Sequence, residues 1–166
     1  MIDLHPIRPG EILAAKAVID QVFQGIWDMT YADVQAKYDP LLDMDDIQHY
    51  YFENKGTFLV LTEDGRVIGT GGLCRLDGGM AELKRIWLLK EYRGQGSGRR
   101  LVETLLEFAR SKGYRRVQLT VATPGRQTEA ISLYTSLGFQ PFIPDSAEPG
   151  PLHMELNFPG TEISTI

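Results

Sequence analysis

The sequence predicts an α+β fold in which helices flank a mixed, mostly antiparallel sheet. Residues 57–88 alternate strand-forming segments with two- and three-residue turns, and connections that short join antiparallel strands. A leucine-rich helical segment follows, then a strand at residues 117–122 and a second helix that ends at Gly138. The order of the strands within the sheet stays open at this stage.

The first third of the chain predicts one strand and two helices. Residues 2–8 form a short opening strand that Pro9-Gly10 ends. A helix follows from Glu11, because apolar side chains recur at helical spacing as far as residue 23. Within residues 31–56, Asp45 and Asp46 precede an aromatic run and predict a second helix, which closes near residues 54–56.

The middle and the end of the chain supply the remaining strands. Residues 57–62 and 66–74 flank Asp64-Gly65, a dipeptide typical of tight hairpin turns. A turn at residues 77–79 leads into a strand at 80–88, and two short extended pieces at 139–143 and 152–158 finish the fold. No repeat or linker interrupts this order, so we predict a single domain over residues 1–166.

Composition and charge exclude several classes of protein. The chain has 166 residues, 43% hydrophobic and 23% charged, which is typical of a soluble globular protein. Its net charge of −5 argues against general binding to nucleic acid. The start of the chain lacks a secretion signal and its apolar runs are too short to span a bilayer, so we expect a cytoplasmic protein without a membrane partner.

The potential metal ligands are few and scattered. Cys74 is the single cysteine, so it supports neither an internal disulfide nor a multi-cysteine metal site. The three histidines, His5, His49 and His153, lie far apart and show no spacing of a metal-binding motif. We therefore expect no metal and read Cys74 as a buried, small apolar residue.

The most informative segment is a glycine-rich turn between a strand and an amphipathic helix. Gly94, Gly96 and Gly98 alternate with other residues, which lets backbone N–H groups approach an oxyanion without an intervening Cβ. The start of the helix favours negative charge, and nearby arginines at positions 93, 99 and 100 add cations that suit phosphate. The segment predicts a pyrophosphate site, although it fits neither the dinucleotide nor the nucleoside-triphosphate motif. The alternative is a connecting turn with solvated arginines.

Two segments resemble the GCN5-related N-acetyltransferases (GNAT superfamily). Residues 93–98, Arg-Gly-Gln-Gly-Ser-Gly, are similar to that family's pyrophosphate motif Q/R-x-x-G-x-G/A. Residues 130–139 resemble its A-x-x-L-Y-x-x-L-G-F segment, in the family's order and spacing. The resemblance implies the acyl-CoA N-acyltransferase fold, acetyl-CoA as acyl donor, and a cleft between two strands that splay apart.

The resemblance also assigns the cofactor-binding positions. The backbone of Ile86, Trp87 and Leu88 would pair with the pantetheine arm as an extra strand. The pyrophosphate would be held by the turn and by the arginine that follows it, at Arg93, Gly94, Gln95, Gly96, Ser97, Gly98 and Arg99. Many relatives carry asparagine where this chain has Gln127, so the contact that Gln127 makes with the cofactor stays open.

Two residues are expected to move protons. Tyr134 matches the tyrosine that lies near the CoA sulfur in similar proteins, which makes it a candidate general acid for the leaving thiolate. The alternative is a core tyrosine. Glu82 stands where several relatives carry a general base; an ordinary carboxylate is too weak a base for an amine, so it would need burial or a water chain. The alternative is a solvent-facing carboxylate or one paired with Arg85.

The sequence says less about the site that would bind the amine acceptor. Asp39, Asp43, Asp45 and Asp46 form an acidic cluster that would attract a cationic amine, or else a solvated loop and helix cap. Of the aromatic residues at positions 50–52, at least one is expected to be core. His5 and His49 are weak candidates for proton relays.

The resemblance implies acetyl transfer from acetyl-CoA to a primary amine, carried by a small molecule or a peptide, through direct attack in a ternary complex. The alternative is an acyl-CoA-binding sensor of the same fold without turnover. Similar proteins often form dimers, so a homodimer is a further expectation, whereas nucleic acid is not expected as a partner. The identity of the amine and the acyl chain length stay open.

Overall fold

A single sheet organises the fold, and helices cover both of its faces. The computed structural model describes residues 1–145 and 148–159, so residues 160–166 of the predicted domain lie outside the described residues. The strands are β1 (Ile2–Pro6), β2 (Thr57–Glu63), β3 (Arg66–Asp77), β4 (Met80–Leu88), β5 (Arg116–Val121), β6 (Gln140–Phe142) and β7 (Leu152–Asn157).

Within the described residues, two long helices and four short ones accompany the sheet. They are α1 (Ile12–Trp27), α2 (Tyr31–Lys37), α3 (Leu42–Asp45), α4 (Ile47–Tyr50), α5 (Ser97–Ser111) and α6 (Thr128–Ser136). Within the ranges 1–145 and 148–159, no helix has both the length and the apolar character that a membrane span requires.

The sheet is mixed and mostly antiparallel, as predicted. Its strands run in the order β1-β2-β3-β4-β5-β7-β6, and among the described strands only β4 and β5 pair in parallel. The predicted hairpin turn is confirmed, because Asp64 and Gly65 have φ angles of 51° and 83° between the antiparallel β2 and β3. Helix α5 connects β4 to β5, the kind of crossover that a parallel pair needs.

The two long helices lie on opposite faces of the sheet. The ring of Trp87 in β4 packs on Phe23 of α1, with 5.5 Å between the ring centroids. A Cβ placed on Gly71 of β3 would lie 3.0–3.1 Å from methyl groups of Ile86, Leu101 and Leu105, the last two on α5. Consecutive residues of a strand point to opposite faces, so Ile86 faces α5 and Trp87 faces α1.

The predicted single helix within residues 31–56 is wrong. Its place is taken by α2, α3, α4 and a 3₁₀ turn at Phe52–Asn54. Leu41, directly after Pro40, has a φ angle of 54°, which no α-helix accommodates. Asp46 is also non-helical, and its carboxylate accepts a hydrogen bond from the His49 N–H (3.2 Å), so it caps α4. The other predicted elements are confirmed to within a few residues.

Candidate active site

A cleft opens where β4 and β5 stop pairing. The two strands are paired only from Met80–Arg116 to Glu82–Gln118, and beyond that point they diverge. The space between them forms a cleft of about 910 Å³. Its walls are residues 83–88 of β4 and 119–121 of β5, and the glycine turn and residues 126–134 complete it. The volume suits a ligand of substantial size.

A β-bulge in β4 marks the start of the divergence. Gly72 pairs with Lys84 and Thr70 pairs with Trp87, so Arg85 and Ile86 together oppose Gly71. Arg85 has a φ angle of 59°, in the left-handed region that residues with side chains rarely adopt. Bulges of this kind bend a strand, and beyond this one β4 still pairs with β3 through Trp87 and Leu88 while its edge towards β5 is unpaired.

The glycine turn has the shape that an oxyanion requires. Gly94 and Gly96 have φ angles of 77° and 87°, and α5 begins at Ser97 directly after them. A Cβ at either glycine would meet no heavy atom within 4 Å, so the space in front of the turn is open. Backbone N–H groups at the start of a helix favour negative charge there. The turn therefore fits a pyrophosphate group.

Two of the three arginines near the turn line the cleft. The Arg93 Nε donates to the Leu88 carbonyl (2.9 Å), which ties the turn to the end of β4. The Arg99 guanidinium donates to the Ser136 hydroxyl on α6, across the cleft. Arg100 instead donates to the Ile2 carbonyl of β1 (3.1 Å) and does not line the cleft, so its prediction as a phosphate ligand is wrong.

Most of the cofactor-binding residues expected from the sequence line one cleft: Ile86, Trp87, Leu88, Arg93, Gly94, Gly96, Gly98, Arg99, Gln127 and Tyr134. Gln95 and Ser97 do not. The Gln95 side chain turns back to the Glu91 carbonyl (3.3 Å), and Ser97 is buried in the first turn of α5. Any contact of these two with a ligand would therefore use the backbone.

The sequence did not single out the opposite wall. Leu119, Thr120 and Val121 of β5 line the cleft, and so does Lys84 on β4. These residues become neighbours of the glycine turn only once β5 lies beside β4. Because the sequence left the strand order open, it carried no signal that would have found them.

The side-chain oxygen of Gln127 is occupied within the fold. It accepts hydrogen bonds from the Thr123 backbone N–H (2.9 Å) and from the Thr123 hydroxyl (3.0 Å). The same hydroxyl accepts from the indole N–H of Trp27 at the end of α1 (3.1 Å). Because the backbone donor fixes which end of the amide is the oxygen, the NH₂ group of Gln127 is the end left for a ligand.

Tyr134 lies both in the core and at the cleft, so its role as a general acid stays a prediction. Its side chain is only 6% exposed and its ring contacts Phe139 at 5.8 Å, so it is part of the core. It also lines the cleft, and no hydrogen bond from the described residues contributes to the environment of its hydroxyl. Burial raises the pKa of Tyr134. The phenol therefore stays protonated at neutral pH and is able to donate.

Glu82 lies at the last paired position of β4, just below the cleft. It is partly buried, and no side chain within residues 1–145 and 148–159 hydrogen-bonds to or pairs with its carboxylate. Burial raises the pKa of Glu82, and the charges of Lys84 and Arg85 offset part of that rise. Pairing with Arg85, one of the two alternatives, is wrong because Arg85 binds other carboxylates. Glu82 does not line the cleft itself.

The acidic cluster is engaged by partners within the fold. Arg85 binds Asp43 through Nη2 (2.6 Å) and Nε (2.9 Å) and binds Asp39 through Nη1 (2.9 Å). Lys16 pairs with Asp45 (2.8 Å), and Asp46 caps α4. Two cations thus pair with three of these carboxylates, which neutralises part of the cluster and reduces its attraction for a cationic amine.

The remaining candidates fall outside the cleft. His5 contacts Glu11 at 2.9 Å and His49 lies 4.0 Å from Glu53. Tyr51 is fully buried, as expected for at least one residue of its run. Cys74 is partly buried, and burial raises its pKa to about 11, so it is a poor nucleophile. Within the described parts of the chain, no group of three or more His, Cys, Asp or Glu residues has metal-binding geometry.

Comparison with known proteins places these features in a family. The model of the Acetyltransferase (GNAT) family matches residues 19–139. Human N-acetyltransferase 8B is 39% identical over 116 residues, which cover 66% of this chain and 48% of that protein. The uncharacterized N-acetyltransferase YjgM of Escherichia coli (strain K12) is 32% identical over 101 residues, 59% of each chain. The chain thus spans about half the length of the curated relatives it matches.

Solved structures agree on the fold. A GNAT-family acetyltransferase from Staphylococcus aureus Mu50 superposes with a TM-score of 0.81 at 20% identity, over 95% of this chain and 99% of that one. The PaiA N-acetyltransferase of Thermoplasma acidophilum, solved in complex with coenzyme A, gives 0.76 at 18% identity over the same shares. Because the family match extends over most of the chain, this protein belongs to the acetyltransferase (GNAT) family.

Proposed function

We propose that this protein is an N-acetyltransferase that moves an acetyl group from acetyl-CoA to a primary amine by direct attack in a ternary complex. The observation that carries the proposal is the single cleft that joins the glycine turn to Tyr134 between diverging strands. When bound, acetyl-CoA supplies the activated acetyl thioester, so the protein itself needs no nucleophile. The amine belongs to a small molecule or to a peptide.

The fit of acetyl-CoA rests on complementary groups at both ends of the cleft. The backbone N–H groups of the turn and the guanidinium groups of Arg93 and Arg99 would hold the pyrophosphate. The free backbone edge of β4 after the bulge would pair with the amides of the pantetheine arm. The NH₂ group of Gln127, a residue that lines the same cleft, would be a further donor.

Proton movements are assigned to the two residues expected from the sequence. Tyr134 donates a hydrogen bond to the thiolate as it leaves, which its raised pKa and its unpaired hydroxyl support. Glu82 accepts the proton of the amine, and burial makes it a stronger base than an ordinary carboxylate. Because Glu82 lies beyond the cleft wall, the proton reaches it through an intervening group such as water.

The first experiment measures acetyl-CoA binding by calorimetry and thermal shift, with Gly96→Trp beside the wild type. At 100 times its dissociation constant, a ligand stabilises the folded state by about 2.7 kcal/mol, which corresponds to roughly 5–10 °C for a chain of this size. Gly96→Trp is expected to abolish binding, because its side chain would fill the open space in front of the turn.

Gly113→Trp is the matched control. Gly113 has the same φ angle as Gly96, 87°, and equally open space around its Cβ, but it lies at the other end of α5. Both variants therefore suffer the same backbone strain, and only Gly96→Trp is expected to lose binding. Absence of binding by the wild type contradicts the proposal. Binding without acetyl transfer to any amine of a broad panel supports the sensor alternative.

A further inference from the structure

We propose that Arg85 is a positioning residue, whose side chain holds the β4 bulge in the conformation that presents the backbone of residues 86–88 to acetyl-CoA. The inference rests on the proposed function, because it assigns a cause to the geometry of that cofactor site. Arg85 acts through its ion pairs with the segment between α2 and α4, on the face of the sheet that α1 covers.

The bulge decides which way the following residues point. With two residues opposite Gly71, Ile86 faces α5 and Trp87 faces α1. Without the bulge the register would slip by one residue, and a slip of one residue sends every side chain beyond it to the other face. Trp87 would then leave the aromatic contacts with Phe23 and Trp27. The backbone groups offered to the cleft would change as well.

The conformation at the bulge is unfavourable in itself. Arg85 has a φ angle of 59°, and a residue with a side chain persists there only where its surroundings impose it. Glycine would adopt this conformation freely. Two sets of contacts impose it here. The Thr70 hydroxyl, fully buried, donates to the Arg85 carbonyl (2.7 Å), and the side chain is anchored separately.

The ion pairs that hold the Arg85 side chain are strong and largely shielded from solvent. The Arg85 side chain is 8% exposed and the Asp43 side chain 7%, and the two are joined by a bidentate pair. The Tyr51 hydroxyl donates to the same Asp43 (2.5 Å), and Asp39 takes the remaining guanidinium nitrogen. Bidentate, charge-assisted pairs of this kind combine strength with a fixed geometry. The anchor therefore fixes both the position and the twist of residue 85.

The test compares Arg85→Ala with Arg85→Gly, since both remove the anchor but only glycine tolerates the left-handed backbone. Binding of CoA is measured by calorimetry well below the melting temperature of each variant. Arg85→Ala is expected to bind CoA about tenfold more weakly than the wild type, because only a fraction of the molecules holds the bulge correctly. Arg85→Gly is expected to recover binding to within about threefold of the wild type. In turnover assays, Arg85→Ala is expected to raise KM for acetyl-CoA and Arg85→Gly to return it close to the wild-type value. The change is expected in KM rather than in kcat.

Arg75→Ala is the matched control, because Arg75 is an exposed arginine on the neighbouring strand β3. It is expected to bind CoA like the wild type. If Arg85→Ala fails to fold, the alanine and glycine variants are compared again with Asp43→Asn added to each. The added substitution removes the buried carboxylate that would otherwise be left without its partner Arg85.

The outcomes separate this inference from the proposed function. Wild-type binding with equal affinity in both Arg85 variants overturns the inference alone. An equal loss in Arg85→Ala and Arg85→Gly also overturns it, because the charge rather than the backbone would then matter. Loss of CoA binding in Arg75→Ala also overturns the inference, because removal of an exposed arginine away from the bulge would then have the same effect. Failure of the wild type to bind CoA overturns the proposed function and the inference together.

Discussion

At the scale of single residues, burial raises the pKa of both proton-transfer candidates. Burial raises the pKa of Tyr134 and so keeps its hydroxyl protonated and able to donate. Burial also raises the pKa of Glu82, which makes its carboxylate a better acceptor. The shift of Glu82 has the direction that a base needs, whereas the shift of Tyr134 favours donation of a hydrogen bond over full transfer of its proton.

Tyr134→Phe is expected to lower kcat about tenfold to hundredfold, the effect of losing one hydrogen bond to a developing charge. Affinity for CoA should stay nearly unchanged, because the ring and its packing on Phe139 remain. The control is Tyr114→Phe, which removes a partly buried hydroxyl that donates to the Lys55 carbonyl (2.8 Å). That variant should lose stability and keep its turnover. Unchanged turnover in Tyr134→Phe would show that the residue belongs only to the core.

Glu82→Gln is expected to lower kcat/KM about a hundredfold, the usual contribution of a general base. The acidic limb of the pH–rate profile should disappear with it. Because the folded state raises the pKa of Glu82, its ionised form opposes folding at all pH values above the unfolded pKa. Glu82→Gln should therefore raise the melting temperature at neutral pH while lowering activity. A variant that keeps the acidic limb would remove Glu82 from the mechanism.

At the scale of elements, the structure separates segments with local signals from those without. The β2–β3 hairpin was predictable from Asp64-Gly65, because that dipeptide adopts the positive φ angles a tight turn requires. Helix α5 was predictable from its apolar rows, which place Leu101 and Leu105 against the sheet. In both cases neighbouring residues alone contain the decisive information.

The segment from α2 to α4 shows the opposite case. Its aspartates at positions 39, 43, 45 and 46 predicted either a cluster that attracts a cationic amine or a solvated loop and helix cap, and of these four Asp46 caps α4. Asp43 is buried instead, and its partner Arg85 lies 42 residues away in sequence. Leu41, whose φ angle is left-handed, and Asp46, whose backbone is not helical, divide the segment into short helices. This division is compatible with the ion pairs that the segment forms. No local pattern predicts a pairing over that distance.

At the scale of the whole molecule, the ion pairs of Arg85 join the helical segment to the sheet and should control stability towards acid. Burial raises the pKa of Asp43, but the hydrogen bonds and charge of Arg85 outweigh that effect and hold it below the ordinary 3.8. A carboxyl whose pKa is lowered on folding stabilises the folded state above its unfolded pKa. This contribution is lost as the pH falls through the folded pKa.

Asp43→Asn should therefore lower the free energy of unfolding by about 3 kcal/mol at pH 7, near the lower limit for breaking a buried pair. The difference from the wild type should shrink as the pH falls below about 4. Urea unfolding at a series of pH values measures it. Asp45→Asn is the control, because its pair with Lys16 is half exposed and should contribute less than about 1 kcal/mol. A difference that is independent of pH would contradict this account.

The sequence by itself determined most of the elements and the position of the glycine turn between β4 and α5. Hydrophobic periodicity, turn dipeptides and the motif of residues 93–98 are local, and they led to the α+β sheet, to α5 and to the glycine turn that lines part of the cleft. They could do so because a helix, a hairpin and a row of backbone N–H groups are set by residues close in the chain.

Only the tertiary structure decided the strand order, the bulge at Arg85 and the wall of the cleft on β5. It also placed Arg100 against β1 and paired Arg85 with Asp39 and Asp43. The physical reason is the same in each case. These features depend on which distant segments share a face or an edge of the sheet, and that is settled by the burial of apolar surface over the whole chain rather than by any local pattern.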